Sequence, residues 1–157
     1  MKHRTHPSLP VLSILLLSLA LLFTPASALE DEAEERWTEI KGGLKYIDLE
    51  VGDGDEVRPG RRANVHYTGY LSNGSKFQSS KDSGKSFVFE VGGGQVVKGW
   101  DLGVRGMREG GTRKLYIPAK MAYGRRGVKV PGGDKDQWVI PPNEDLVFEV
   151  EVINVSP

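Results

Sequence analysis

From Gly43 onward, apolar and polar residues alternate along the chain with a period of two. Ala63, Val65 and Tyr67 fall on one side of such a run, and Asn64, His66 and Thr68 on the other. Phe87, Phe89 and Val91 alternate with Ser86, Val88 and Glu90, and Leu115 and Ile117 with Lys114 and Tyr116. Leu146, Phe148, Val150 and Val152 alternate with Val147, Glu149 and Glu151. A period of two is that of a strand buried on one face. One dry and one wet face point to an antiparallel sheet, because parallel sheets are covered on both sides. Gly52-Asp53-Gly54, Pro59-Gly60 and Asn73-Gly74 supply the turns.

Only "VVKGWDLGVRGM" (96–107) has helical spacing, with Val97, Trp100, Val104 and Met107 three or four residues apart. It also contains Gly99, Gly103 and Gly106, each costing roughly 1 kcal/mol relative to Ala inside a helix. Three such penalties predict a helix lying close against another element. The architecture that follows is α+β: a single, strongly curved antiparallel sheet wrapped around one short helix.

Two segments lack a clear period. "LEDEAEERWTEI" (29–40) is acidic and reads as a solvated arm or a short helix, with Trp37 as the residue able to dock it. "RRGVKVPGGDKDQWV" (125–139) is a long loop, closed by the stiff "IPPN" of 140–143. It reads either as an extension of a binding groove or as a solvated excursion anchored by Trp138. The domain expectation is therefore a leader at 1–28, an acidic arm at 29–42 and one folded domain at 43–157.

The leader changes the picture of where the protein works. Lys2, His3 and Arg4 precede an apolar run from Val11 to Phe23, and Ala26-Ser27-Ala28 has the small-x-small form of a signal-peptidase site. The apolar run is shorter than the ~20 residues that span a bilayer. Cleavage after Ala28 is the reading adopted, with an uncleaved anchor as the alternative. The chain is then exported, to a bacterial periplasm first, with secretion or an endoplasmic-reticulum lumen as alternatives. No Cys follows the leader, which excludes a lipoprotein anchor. Loss of Lys2 and Arg4 leaves a slightly acidic mature chain, which gives no basic face for nucleic acid. The absence of Cys excludes disulfides and thiol chemistry.

The usual catalytic motifs fail on inspection. "SGKS" (83–86) lacks the upstream Gly of a phosphate loop, since position 79 is Ser. "GGGQVVKG" (92–99) has Val97 where a dinucleotide fingerprint needs Gly. No G-x-S-x-G elbow occurs. His66 is the sole histidine after the leader, so a zinc site has no ligand set, and Asp134 and Asp136 are too few for calcium. No cofactor or metal is expected. Asn73-Gly-Ser75 and Asn154-Val-Ser156 are glycosylation acceptors only in a eukaryotic host.

"VHYTGYL..GSKFQSS", "FVFEVGGGQVVKGWDLGVRGM", "KLYIPAKMAYG" and "VIPPNEDLVFEVEVINV" stand in this order. Together they resemble the FKBP-type peptidyl-prolyl cis/trans isomerases, the immunophilins that bind macrolides such as FK506, over residues 43 to 154. The resemblance implies a five-stranded antiparallel sheet curled around a short helix. It implies a prolyl pocket walled by Tyr67, Phe77, Phe87 and Phe148, with Tyr123 at the rim and Trp100 as the floor. Val96 and Val97 line the side, the Val97 N–H binds a substrate carbonyl, and Ile140 adds an apolar contact. Phe89, Leu115, Ile117 and Val150 are expected in the interior instead. The implied partners are prolyl-containing unfolded or partly folded polypeptides, and FK506-like macrolides. The implied activity is rotation about X-Pro bonds during folding of exported proteins; the alternative is a chaperone-like domain that holds prolyl segments and turns them over weakly. In two places the chain departs from the family: Gln78 follows Phe77 where Asp is usual, which predicts retained but reduced activity and weaker macrolide binding, and the loop at 125–139 is longer than the family's usual one.

Overall fold

The computed structural model describes residues 36–157; the expected leader at 1–28 and residues 29–35 of the expected acidic arm lie outside the described residues. The chain runs through β1 (Thr38–Lys41), β2 (Leu44–Glu50), β3 (Arg62–Leu71), β4 (Lys76–Ser79), α1 (Ser80–Ser83) and β5 (Phe87–Glu90). It continues through α2 (Lys98–Gly103), β6 (Thr112–Ile117), a 3₁₀ turn at Ala119–Met121, β7 (Val128–Lys129), β8 (Trp138–Ile140) and β9 (Leu146–Ser156). The main sheet has the order β1-β2-β6-β9-β3-β4, and β5 also pairs with β3. Every pairing is antiparallel. Because β4 and β5 share one edge of β3, five strand positions run from β2 to that edge, and β1 extends the opposite side.

The inward positions are those the alternation marks. Ala63, Val65, Leu115, Ile117, Leu146 and Val150 are completely buried, and Phe89 nearly so. In β9 the alternation slips after Val152: Val65 pairs with Val152 but Asn64 with Asn154. Ile153 therefore turns outward, and Val155 returns to the core. β1 lies within the stretch read from sequence as an arm. It is fully exposed, so no burial pattern could reveal it, but Thr38 and Lys41 pair with Tyr46 and Leu44. Trp37 meets the Tyr116 ring edge to face at 6.3 Å, which is the docking its position suggested.

The helix is shorter than its spacing predicted, six residues rather than twelve. Val97 is extended at its start (φ −60°, ψ 147°), and Gly106 makes a turn beyond its end at φ +78°. The glycines divide accordingly. A Cβ at Gly99 would overlap the Ile117 side chain, and one at Gly103 would lie 2.8 Å from Leu115 Cδ2. These two permit the close approach to β6, whereas Gly106 has open space around it and supplies backbone conformation. A second helix, α1, is a single turn whose Ser79 cap accepts from the Lys81 N–H.

One inward position holds a charge. Arg113, only 5% exposed, donates to Asp48 through Nε at 2.6 Å and Nη2 at 3.1 Å. Its Nη1 donates to the Gly103 and Arg105 carbonyls at 2.9 and 3.0 Å. It also lies 3.9 Å over the Tyr46 ring. One guanidinium thus ties β6 to β2 and satisfies the carbonyls at the end of α2. The long 125–139 segment is an ordered hairpin in which Val128 pairs with Ile140 and Lys129 with Trp138. The Lys129 ammonium sits 3.6 Å over the Trp138 ring. Among the described residues, no helix is long and apolar enough to cross a membrane.

Replacing Gly103 with Ala forces either α2 or the Leu115 side chain to move. Urea denaturation is expected to show a loss of about 1–3 kcal/mol, the usual cost of overpacking a core. An unchanged midpoint would mean that the helix–sheet spacing is not fixed by this contact.

Candidate active site

The site is built on the strand that carries Tyr67. β5 pairs with β3 only over Arg62–Val65, and β4 only over Thr68–Tyr70, which leaves His66 and Tyr67 without an edge partner. The hydroxyl of Ser80 fills the gap. It accepts from the Tyr67 N–H at 2.9 Å and lies 3.0 Å from His66 Nδ1. Ser79 donates to the Tyr67 carbonyl at 3.0 Å and meets the Thr68 hydroxyl at 2.9 Å. Side-chain oxygens thus do locally what a strand backbone would do, and they hold Tyr67 at the break. No pattern of hydrophobicity marks these serines.

The Tyr67 side chain lines a hollow of about 160 Å³. Nine of the ten site residues expected from sequence line it: Tyr67, Phe77, Gln78, Phe87, Val96, Val97, Trp100, Tyr123 and Phe148. Ile140 does not. It is 3% exposed, in β8 opposite Val128, and belongs to the core. Gln95 lines the hollow although the sequence did not mark it. Its Oε1 accepts from the Glu90 N–H at 2.8 Å, so its amide nitrogen keeps its hydrogens for another partner. None of the hairpin residues 125–139 lines the hollow.

Trp100 is the centre of the arrangement. Its ring centroid lies 5.4 Å from Tyr67, 5.8 Å from Phe87 and 5.7 Å from Phe148. Phe89 stacks beneath it at 5.2 Å with an interplanar angle of 23°. Phe77 meets Phe148 edge on at 5.7 Å and 89°. These separations are those of favourable aromatic packing. Trp100 and Phe148 are almost wholly buried, while Tyr123 is 41% exposed at the mouth. Gly69 makes room for the wall: a Cβ there would lie 2.5 Å from Phe77 Cζ and 2.8 Å from Phe148 Cε1.

No carboxylate, imidazole or amine lines the hollow. Burial pushes the Tyr67 phenol above its ordinary pKa, and the neighbouring Tyr123 adds to the shift. Its neutral, donating form therefore persists to higher pH than in free tyrosine. The Val97 carbonyl accepts from the Trp100 and Asp101 N–H groups, while the Val97 N–H makes no hydrogen bond among the described residues. Asp145 accepts from the Tyr116 hydroxyl and from the Ala119 N–H. It thereby fixes the turn that leads to Tyr123. Among the described residues no cluster of three or more His, Cys, Asp or Glu could hold a metal.

The family model described as FKBP-type peptidyl-prolyl cis-trans isomerase matches residues 54–153. The chain belongs to that family. An FK506-binding protein of Neisseria meningitidis serogroup B is 50% identical over 114 residues, which is 73% of this chain and 97% of the relative. A Saccharomyces cerevisiae protein named peptidyl-prolyl cis-trans isomerase is 38% identical over 127 residues, 81% of this chain but 28% of the relative. Among solved FKBP structures, AtFKBP13 superimposes with a TM-score of 0.69 at 38% identity, covering 76% of this chain and 98% of its own. FkpA from Escherichia coli gives 0.68 at 35% identity, covering 82% and 55%. The curved sheet and short helix are those of the FKBP fold.

Ser80→Ala removes the acceptor of the Tyr67 N–H at a buried position. Stability is expected to fall by about 1–3 kcal/mol, the cost of leaving a buried donor unpaired, with Ser80→Thr recovering part of it. Urea denaturation measures both. A neutral Ser80→Ala change would show that solvent reaches the break.

Proposed function

We propose that this FKBP is a peptidyl-prolyl cis/trans isomerase acting on X-Pro bonds of exported proteins as they fold. The observation that carries the reading is an open hollow whose floor, Trp100, is ringed by Tyr67, Phe87 and Phe148. Rotation about a peptide bond passes through a twisted amide that has lost its resonance, with a barrier of about 18–20 kcal/mol. At X-Pro both planar isomers are populated, yet they exchange only over tens to hundreds of seconds. No bond breaks in this reaction, so a site without nucleophile, acid or metal suffices.

The planar amide is the more polar form, and the twisted one loses charge separation at its oxygen. A dry hollow walled by rings therefore holds the twisted form relatively better, and each 1.36 kcal/mol of that difference is about tenfold in rate. In this reading the proline ring rests on Trp100 between Tyr67, Phe77, Phe87 and Phe148. Val96 and Val97 bound one side, the Val97 N–H takes a substrate carbonyl, and the Tyr123 hydroxyl donates to a second carbonyl. FK506-type macrolides compete for the same hollow.

Export rests on the leader pattern of residues 1–28, with the periplasm as the compartment. Sequencing the amino terminus of the mature protein is expected to begin at Leu29. Recovery of the intact amino terminus from the cytoplasm would overturn this.

A second reading is a holdase with weak turnover. Gln78 favours it, since it lines the hollow where the family usually has Asp and makes no hydrogen bond with Tyr67 among the described residues. Suppression of client aggregation without catalysed isomerisation would support that role.

The deciding experiment follows cis-to-trans conversion of a short Leu-Pro peptide by the mature chain, with and without FK506. Catalysis that FK506 abolishes is the expected result. Gln78→Asp restores a charged acceptor worth about 1 kcal/mol, so kcat/KM is expected to rise about fivefold. An unchanged or lower value would remove Gln78 from the reaction. Because no carboxylate, imidazole or amine lines the hollow and the Tyr67 phenol is shifted upward, kcat/KM is expected to stay flat from about pH 5 to 9. A bell-shaped profile in that range would point to proton transfer and against amide rotation in this pocket.

A further inference from the structure

We infer that the free edge of β5 at Val88 is a second contact for the substrate, taking the extended segment beside the proline as an added strand. The inference rests on the proposed isomerase site and adds how that site holds the rest of its polypeptide. Among the described residues, β5 pairs with β3 on one side and with no strand on the other. The Val91 N–H donates to the Arg61 carbonyl at 2.9 Å, which makes Arg61 and Val91 a bonded pair. Bonded pairs recur at every second residue of an antiparallel ladder. Phe87 and Phe89 therefore spend their main-chain groups on β3, and Val88 and Glu90 turn theirs to the open side.

Glu90 is already satisfied there. Its N–H donates to Gln95 Oε1 at 2.8 Å, and its carbonyl accepts from the Gly93 N–H at 3.1 Å. Val88 has no such cover. It faces Asn64 as a non-bonded pair, and nothing among the described residues bonds its N–H or its carbonyl. It is also 45% exposed. One residue of the edge thus presents a main-chain donor and acceptor together, beside an uncovered β-branched side chain. Proteins blunt open edges with charge, proline or a covering element, and here the cover stops at Glu90.

The position of Val88 names its occupant. Phe87, its chain neighbour, is a wall of the hollow, and Gln95, which caps the same edge at Glu90, lines the hollow as well. The open edge is therefore continuous with the wall. One donor and one acceptor are too few to hold a free strand or a second copy of the chain. They suffice for a segment already anchored by its proline, because the second contact then forms at high effective concentration. Recognition runs through the main chain and tolerates varied sequences, with a β-branched or aromatic side chain favoured opposite Val88.

The test compares a Leu-Pro tetrapeptide with a decapeptide of the same centre, by fluorescence anisotropy and by turnover on the mature chain. The longer peptide is expected to bind roughly five- to tenfold more tightly, the worth of two main-chain hydrogen bonds. Methylating one amide nitrogen at a time along the flanks is expected to remove that gain at a single position. Val88→Pro deletes the outward N–H and leaves the ladder to β3 intact, as an edge strand allows. It is expected to remove most of the gain and to leave the tetrapeptide unchanged, whereas Val88→Thr keeps both. No gain with length, a gain that survives Val88→Pro in a folded protein, or one that no single methylation removes overturns the inference. If circular dichroism shows Val88→Pro unfolded, the methylation scan decides alone. If neither peptide is turned over while the gain and its loss persist, the isomerase reading falls and the edge contact stands.

Discussion

The distance between one short helix and the sheet beneath it governs the site. Trp100 is seated by α2, and the rings around it come from β3, β4, β5 and β9. A floor and its walls therefore belong to elements far apart in sequence, and they meet only if the helix comes close. Two devices set that approach. Gly99 and Gly103, four residues apart, turn their bare side toward Ile117 and Leu115. At the helix end, Arg113 reaches up from β6 to the Gly103 and Arg105 carbonyls while Asp48 neutralises it from β2. A buried charge is tolerable because every direction of its guanidinium finds an acceptor or a ring.

The same sheet must also stay open. The outer edge of β3 is not continuous: β5 covers Arg62–Val65 and β4 covers Thr68–Tyr70. Splitting the edge into β4 and β5 leaves a window, and the Ser79 and Ser80 hydroxyls satisfy the backbone that the window exposes. Gly69 works toward the same end from within β3, since any side chain there would push Phe77 and Phe148 out of position. Packing and opening are thus reconciled by small residues at the points where a larger one would choose between them.

How much of this could be read beforehand follows from what sequence periodicity encodes. Alternation marks which residues face inward, so the inner faces of β3, β5, β6 and β9 were legible. Resemblance to the FKBP family then pointed to nine residues that do line one hollow. What stayed hidden had no local signature. β1 is exposed along its whole length, and the β7–β8 hairpin is too short to show a period, with Ile140 its one buried strand residue and Lys129 over Trp138. Arg113 breaks the rule that inward means apolar, because its partners are carbonyls and a carboxylate contributed by other elements. The slip after Val152 and the role of Gly106 depend on backbone conformation, which the pattern of side chains does not record. Family likeness places Ile140 in the pocket, whereas the structure buries it in β8 opposite Val128, outside the lining of the hollow.

Amide rotation frees the site from a demand that most active sites must satisfy. No proton moves in the reaction, so no residue of the hollow is obliged to carry charge or to titrate near neutral pH. In the proposed reaction the rings around Trp100 accommodate the twisted bond, while the Val97 N–H and the Tyr123 hydroxyl hold the flanking carbonyls. Gln78 lines the hollow with an amide where the family usually has a carboxylate, so it adds donors to the wall without adding charge.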